Sequence, residues 1–217
     1  MRKPMLLIPL LAAFAGSASA QVPAGAENFR AIELRGGGIV TVRHGPTRQV
    51  SVIGDNPGRI IRAEHGRLII DRCARGCARN HRFKVEIVTP ELDTVAVSDG
   101  GLIEVGEGFA RQRTLTAAVS QGGVIDMRAL EADDVTAAVQ QGGRILVHPT
   151  RELTGAVSHG GVITYWGDPQ VVSSVSDGGV VHGGDAGDLR RPLSEIDAGL
   201  MPPPPVPPVP PQIPAKR

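Results

Sequence analysis

The same pattern of apolar and polar residues recurs five times in the second half of the chain. In each copy, small residues and a valine precede two polar residues and a Gly-Gly pair, and apolar residues follow the pair. The first glycines of the pairs are Gly100, Gly122, Gly142, Gly160 and Gly178, so the spacings are 22, 20, 18 and 18 residues. Periods of this size are typical of stacked folds, in which each repeat buries the apolar face of its neighbour.

Two columns of apolar residues run through these repeats. Three positions before the first glycine there is always a valine: Val97, Val119, Val139, Val157 and Val175. Three positions after it stands Ile103, Ile125, Ile145, Ile163 or Val181. We predict that stacked strands align both columns inside one core, and that each Gly-Gly pair forms a corner where no Cβ obstructs the chain.

The region Phe29–Val88 predicts short alternating strands between turn residues, and it shows no helical periodicity. The predicted strands are Ala31–Leu34, Ile39–Arg43, Gln49–Ile53, Ile60–Ala63, Leu68–Asp71 and Phe83–Val88. We therefore predict an all-β chain with a β-solenoid domain over residues 29–183, capped at one end by these strands. A plain β-meander with glycine turns is the alternative interpretation of the same pattern.

The two ends of the chain differ in composition from the repeats. Residues 1–20 resemble a cleavable signal peptide, with Arg2 and Lys3 before the apolar stretch Met5–Ala15 and an Ala-Ser-Ala site after it. We expect a mature start near Gln21, a flexible leader over residues 21–28, and a periplasmic, cell-surface or secreted protein. Residues 184–200 are predicted to be a linker. Residues 201–217 are predicted to be a disordered, proline-rich tail of polyproline II character, serving as a spacer or as a ligand for a protein partner.

Composition narrows the classes of partner. The net charge is +1 and aromatic residues make up 3% of the chain, which argues against nucleic acid and against an anionic membrane surface. No later segment approaches the ~20 apolar residues of a membrane helix. The sequence contains no phosphate loop, nucleotide fingerprint or zinc-protease motif, so we predict no catalytic residues, no metal and no cofactor.

Two groups of residues are candidates for chemistry or binding. Cys73 and Cys77 are the only cysteines, and a disulfide between them is the favoured prediction for an exported chain. A metal site that includes His81, or free thiols, are the alternatives. The second group is a polar column just before the glycine pairs, formed by Asp99, Gln121, Gln141, His159 and Asp177. Stacking would place these side chains about 4.8 Å apart, either to bind a repetitive polymer or to cap turns in solvent.

The order of the motifs resembles the GIN-domain family, the head domain of auto-transporter adhesins. The resemblance rests on the phrases Phe29–Leu34, Val50–Asp55, Gly66–Ile70 and Pro90–Val95, and on the repeats that follow, so that it covers about Phe29–Gly183. It implies a right-handed parallel β-helix-like fold outside the cytoplasm. The turn of this chain is polar-polar-Gly-Gly, whereas the family's usual turn is closer to Ser-Gly-x-Gly. The family carries no catalytic motif that could be transferred to this chain.

These observations favour a non-enzymatic module of the cell envelope or cell surface, structural or adhesin-like, that binds a polysaccharide or a protein partner. A small polysaccharide-acting β-helix enzyme, a lyase or a hydrolase, is the first alternative, with Asp99 and Asp177 as its candidate carboxylates. Self-assembly is the second alternative, because the end of the stack near Val180 has only a glycine-rich linker to cover it and could pair end to end with another copy.

Overall fold

The structure is a computed structural model that describes residues 28–53, 61–71 and 84–193. These residues form strands and turns, with one short 3₁₀ helix at Ala186–Asp188, so the all-β prediction is confirmed. The strands, in chain order, are β1 (Ala31–Arg35), β2 (Ile39–His44), β3 (Gln49–Ile53), β4 (Ile61–Glu64), β5 (Arg67–Asp71), β6 (Lys84–Thr89), β7 (Thr94–Ser98), β8 (Leu102–Val105), β9 (Gln112–Ser120), β10 (Val124–Gln140), β11 (Arg144–Val157), β12 (Val162–Tyr165), β13 (Gln170–Val175) and β14 (Val180–Gly183).

The strands pair in two parallel ladders, one on each side of the glycine turns. The strands before the turns follow the order β5-β1-β7-β9-β10-β11-β13. The strands after the turns follow the order β6-β2-β8-β10-β11-β12-β14. The long strands β10 and β11 belong to both ladders, because each runs from the second half of one repeat into the first half of the next.

The register of the ladders aligns the two apolar columns as predicted. Val119 lies opposite Val97 and Val139, and Val157 lies opposite Val139 and Val175. The isoleucine column is aligned in the same way, from Ile103 through Ile125, Ile145 and Ile163 to Val181. Both columns contribute to one buried cluster, so the apolar residues of the two ladders share a single core.

The six strands predicted before the repeats are present, with each end within one residue of the prediction. They occupy one end of the two ladders, as predicted for the cap, but their order there differs from their order in the chain. The strands β1 and β2 form a unit inside the stack, between β5–β6 and β7–β8. Only β3 and β4 are antiparallel, and they lie outermost, paired with β6 and β5. The stacking order of the units is therefore not the order of the chain.

The first part of the predicted linker folds back onto the ladder that follows the turns. We call Gly184–Leu193 the strap. The indole Nε1 of Trp166 donates to the Asp185 carbonyl at 2.8 Å, and Arg128 donates to the Asp188 carbonyl. Beside these contacts Arg128 forms an ion pair with Asp126 at 2.7 Å, and both side chains are buried. The strap therefore fastens the end of the described chain to β10 and to Trp166, the residue that follows β12.

Several sequence predictions fall outside the described residues. They are the signal peptide, nearly all of the leader, the Cys73–Cys77 pair with His81, the rest of the linker and the proline-rich tail. Among the residues that the structure does describe, no helix has the length and hydropathy needed to cross a membrane.

Candidate functional site

The five residues of the predicted polar column share an unusual backbone conformation. Asp99, Gln121, Gln141, His159 and Asp177 have φ angles between 49° and 60°, in the left-handed region. We call these five residues the turn column. Aspartate and histidine are enriched in that region, but glutamine is not, and the conformation costs a side-chain-bearing residue roughly 1–2 kcal/mol. Glutamine at two successive turns is therefore held against its backbone preference.

The two glycines after each column residue are required for two different reasons. The first glycine, such as Gly142 with φ 79°, has nothing within 4 Å of the position that a Cβ would occupy, so only its backbone angle demands glycine. The second glycine packs on the previous repeat. A Cβ at Gly143 would lie 2.6 Å from Cγ1 of Val119 and 2.9 Å from the Gly123 carbonyl. The sequence prediction of a corner without a Cβ is confirmed.

Backbone hydrogen bonds hold successive turns on top of one another. The amide of Asp99 donates to the Ser120 carbonyl at 3.2 Å, and the amide of Gln121 donates to the Gln140 carbonyl at 3.1 Å. At the far end, the amide of Gly160 donates to the Asp177 carbonyl at 3.1 Å. The turns are thus extensions of the ladders, which fixes the spacing of the column residues at about 4.8 Å per repeat.

The middle of the turn column lines an open groove of about 460 Å³. Its lining residues are Ser120, Gln121, Gln140, Gln141, Ser158 and His159. Within the part of the chain that the structure describes, the side-chain amides of the three glutamines make no hydrogen bond, so their donors and acceptors face the groove's solvent. Convergent polar groups of this kind are what orient a ligand in a binding site.

The two aspartates of the column do not line this groove. Asp177 lies beside His159, with 3.6 Å between the carboxylate Oδ2 and the imidazole Nε2. Asp99 and Asp177 are separated by four strand steps, which amounts to about 19 Å. Carboxylate pairs that cleave glycosidic bonds are about 5–9.5 Å apart. The structure therefore brings Gln121, Gln141 and His159 together and keeps the two candidate carboxylates from acting as a pair.

Comparison with protein families shows to which family this arrangement of repeats belongs. The model of the family described as "Putative auto-transporter adhesin, head GIN domain" matches residues 28–114 and 109–169. The chain belongs to the GIN-domain family. The matched residues cover the unit β1–β2, the outer strands and the repeats as far as β12. No curated protein matches the sequence.

Solved structures of similar chains include proteins from Bacteroides and Parabacteroides species. A putative adhesin from Bacteroides fragilis NCTC 9343 is 20% identical, covers 73% of this chain and 93% of its own, and has a TM-score of 0.40. A putative adhesin from Parabacteroides merdae ATCC 43184 is 17% identical over the same shares, with a TM-score of 0.32. A putative lipid binding protein from Parabacteroides distasonis ATCC 8503 is 13% identical, covers 73% of this chain and 94% of its own, and has a TM-score of 0.30.

This GIN domain contains a further turn of the same kind between the first two strands, where the sequence predicts a glycine turn but does not identify it as a copy of the repeat. Gly36, Gly37 and Gly38 have φ angles of 78°, 73° and 93°, and they join β1 to β2 as Asp99, Gly100 and Gly101 join β7 to β8. Ile39 and Val40 lie opposite Leu102 and Ile103. The signal was present in the sequence as a Gly-Gly pair followed by two apolar residues, but glycine stands where the other turns carry a polar residue.

A second groove lies on β2, β6 and β8, away from the turn column. It encloses about 540 Å³ and is lined by Thr41, Arg43, His44, Lys84, Glu104, Gly106 and Glu107. The ring of His44 packs edge-on against Phe109 at 5.3 Å, and Lys84 pairs with Glu86 at 3.0 Å. Cationic and anionic groups are mixed in this groove. Within the described ranges, no three His, Cys, Asp or Glu side chains are placed to hold a metal ion.

Proposed function

We propose that this GIN domain is a non-enzymatic binding module of the cell envelope or cell surface, and that its ligand lies along the turn column. One observation carries the proposal: Gln121 and Gln141 are held in a strained left-handed conformation, with their amides directed to an open groove rather than to the protein. Strain that persists without an intramolecular benefit is characteristic of functional positions. Membership of an adhesin head family supports the same role.

The chemistry of the groove favours a polysaccharide as the ligand. Amides and hydroxyls both donate and accept hydrogen bonds, as sugar hydroxyls do, and they carry no net charge. The groove is also periodic, since each of the three repeats that line it presents an amide or imidazole at the same position of the turn. A polymer of similar units can therefore meet several repeats at once. A protein partner with an extended polar segment is the alternative ligand.

The first test is a glycan and peptidoglycan binding array, run with the full chain and with a form that lacks Met201–Arg217. We expect binding to one polymer class with or without the tail. The double variant Gln121→Ala and Gln141→Ala keeps the backbone strain but removes the amides, and it should weaken binding about tenfold or more, as expected for two lost hydrogen bonds. Gln49→Ala, on the outer strand β3, is the matched control and should bind normally.

Two results would count against this assignment. Full binding by the double variant would remove the turn column from the site. Binding that requires Met201–Arg217 would move the site to the proline-rich tail and its protein partners. Absence of any glycan binding, with capture of a protein ligand that the double variant loses, would favour the alternative ligand on the same groove.

A polysaccharide-acting enzyme is the alternative function, and the second groove is where its chemistry would be sought. Glu104 and Glu107 both line that groove, whereas Asp99 and Asp177 are too far apart to cooperate. A turnover screen on envelope and plant polysaccharides tests it. Activity that Glu104→Gln or Glu107→Gln abolishes would establish an enzyme, and activity that neither changes would be attributed to a contaminant.

We also propose that the domain is a right-handed parallel β-helix and that the protein is exported, with a Cys73–Cys77 disulfide and a proline-rich spacer. The stacked parallel ladders support a right-handed parallel β-helix, because parallel crossovers are right-handed in nearly all proteins. Export, a Cys73–Cys77 disulfide and a proline-rich spacer fit a head domain that is displayed outside the cytoplasm. Mass spectrometry of the exported protein tests two of these, through a mature start near Gln21 and a mass that is lower than that of the reduced form by two hydrogen atoms.

A further inference from the structure

The last repeat exposes residues that occupy core positions in every earlier repeat. Val175 continues the valine column, yet its exposed fraction is 48%, against 3% for Val157 on the neighbouring strand. Val171 lies opposite Leu153 in the same ladder, and their exposed fractions are 36% and 0%. Among the described residues, the core of the stack is therefore uncovered at this end. Apolar surface at the end of a repeat array requires a cover.

The backbone at the same end is also unpaired on one side. Among the described strands, β13 pairs only with β11 and β14 pairs only with β12. The amide of Ser176 donates to the Val157 carbonyl at 3.0 Å. Because successive amides of a strand point in opposite directions, those of Ser173 and Val175 point toward the open edge. The last repeat thus offers both free hydrogen-bonding groups and apolar side chains.

The opposite end of the stack is protected in a way that the last repeat is not. The outer strand β4 carries Arg62, which pairs with Glu64 at 2.9 Å and also with Asp71. Charged side chains on an edge strand prevent further strand pairing. The sequences of β13, QVVSSV, and β14, VVHG, contain no Lys, Arg, Asp or Glu. The strands β4 and β13 are the two ends of the same ladder, and only β13 is free of charged side chains, so its edge is the better suited of the two to pairing with another strand. The outermost strand of the other ladder at the far end, β3, is uncharged as well.

We propose that β13 and β14 form the interface of a two-fold symmetric dimer, in which each strand pairs antiparallel with the same strand of a second copy. Two identical uncharged edges meet without repulsion, and strands of equal length pair along their whole length. The two-fold symmetry closes the assembly, because each copy uses its last repeat once and no second copy of that surface remains free. This specifies the end-to-end self-association predicted from the sequence, and it is independent of which ligand the turn column binds.

The dimer would place two turn columns on one particle. A ligand that spans both copies would bind with increased avidity, since the second contact is then intramolecular. The interface itself depends on two features, the uncharged edge and its free amides, and each can be altered without changing the buried core.

Sedimentation equilibrium of the full chain over a range of concentrations tests the proposal. We expect a monomer–dimer equilibrium with no larger species. Val172→Lys places a charge on the exposed face of β13 and brings two lysines together in the dimer, so it should raise the dissociation constant at least tenfold. Val172→Thr keeps a β-branched side chain without charge, and it should change the constant less than threefold.

A second variant tests the hydrogen bonds of the edge. Ser173→Pro removes an amide that points to the open edge and leaves the bonds between β13 and β11 in place, so it should also weaken the dimer at least tenfold. Circular dichroism checks that both variants keep the wild-type strand content. A strictly monomeric wild type, a mass that grows beyond the dimer with concentration, or a dimer that both folded variants retain would overturn the proposal.

Discussion

At the scale of single residues, the turn column places side chains at backbone positions that glycine would occupy at lower cost. Glycine at these positions would remove the steric cost of the left-handed backbone, and the turn at Gly36 shows that the fold accepts glycine there. The chain nevertheless has glutamine at two turns, where the side-chain amides face the groove. Glutamine therefore costs stability at these turns, and this cost supports the binding role that we propose for the column.

Replacement of Gln141 by glycine is therefore expected to stabilise the protein. Relief of the left-handed strain exceeds the extra chain entropy of glycine, which leaves a gain of about 0.5–1 kcal/mol in the free energy of unfolding. Gln140→Gly is the control, because Gln140 lies in β10, where glycine should cost about 0.5–1 kcal/mol. Chemical denaturation of both variants measures the difference in the free energy of unfolding. An equal loss of stability in the two variants would show that Gln141 is not strained.

The left-handed conformation could not be predicted from the column residues themselves. Aspartate and histidine suggest such a turn weakly, and glutamine does not suggest it at all. The sequence identified the column because the glycine pairs mark its place in each repeat. It could not show that Gln121, Gln141 and His159 share a groove, because that depends on the exact stacking of the turns.

At the scale of elements, the repeated sequence pattern predicted which strands pair far better than it predicted where each strand begins and ends. The aligned valines and isoleucines identify the ladder positions in every repeat. The continuity of β10 and β11 was not predicted. β10 has no glycine or proline at the bend between its two halves, and Pro149 stands at the bend of β11 without interrupting the strand. In β10 the register shifts between Met127 and Glu131 and again between Ala132 and Asp134, so the bend consists of irregular pairing without a break.

The two glycines of one turn should respond differently to the same substitution. Gly142→Ala meets no neighbouring atom and adds only left-handed strain, at a cost of about 1–2 kcal/mol. Gly143→Ala adds a clash with Val119 and with the Gly123 carbonyl, so its cost should be larger, at roughly 2–4 kcal/mol. Thermal or chemical unfolding of the two variants checks the order, and a larger loss for Gly142→Ala would refute it.

At the scale of the whole molecule, the strap connects the repeats to the end of the chain. Arg128 links three groups in this connection: it pairs with buried Asp126, lies 5.5 Å from the ring of Trp166, and donates to the strap at Asp188. A linker would not be expected to make such contacts from its composition alone. Its docking partners are distant in the sequence, which is why the pattern of residues 184–200 did not predict the strap.

Arg128→Met should release the strap and destabilise the protein, because it leaves the Asp126 carboxylate buried without its partner. Removal of one member of a buried ion pair costs about 3–5 kcal/mol. Trp166 is the only tryptophan, so its fluorescence reports the change directly. We expect emission at longer wavelength and stronger quenching by acrylamide. Arg190→Met, an exposed change within the strap, is the control, and matching spectra of the two variants would contradict the role of Arg128.

The position of β1 inside the stack has a consequence for the order in which the chain folds. Ala31 pairs with Thr94, 63 residues later, whereas Val139 pairs with Val157 only 18 residues later. Closing the longer loop costs more entropy and slows the step. The first strand to leave the ribosome is therefore not the first to find its neighbours. Nucleation is expected among the later repeats, and the amino-terminal strands should join last, while they remain accessible to chaperones or proteases.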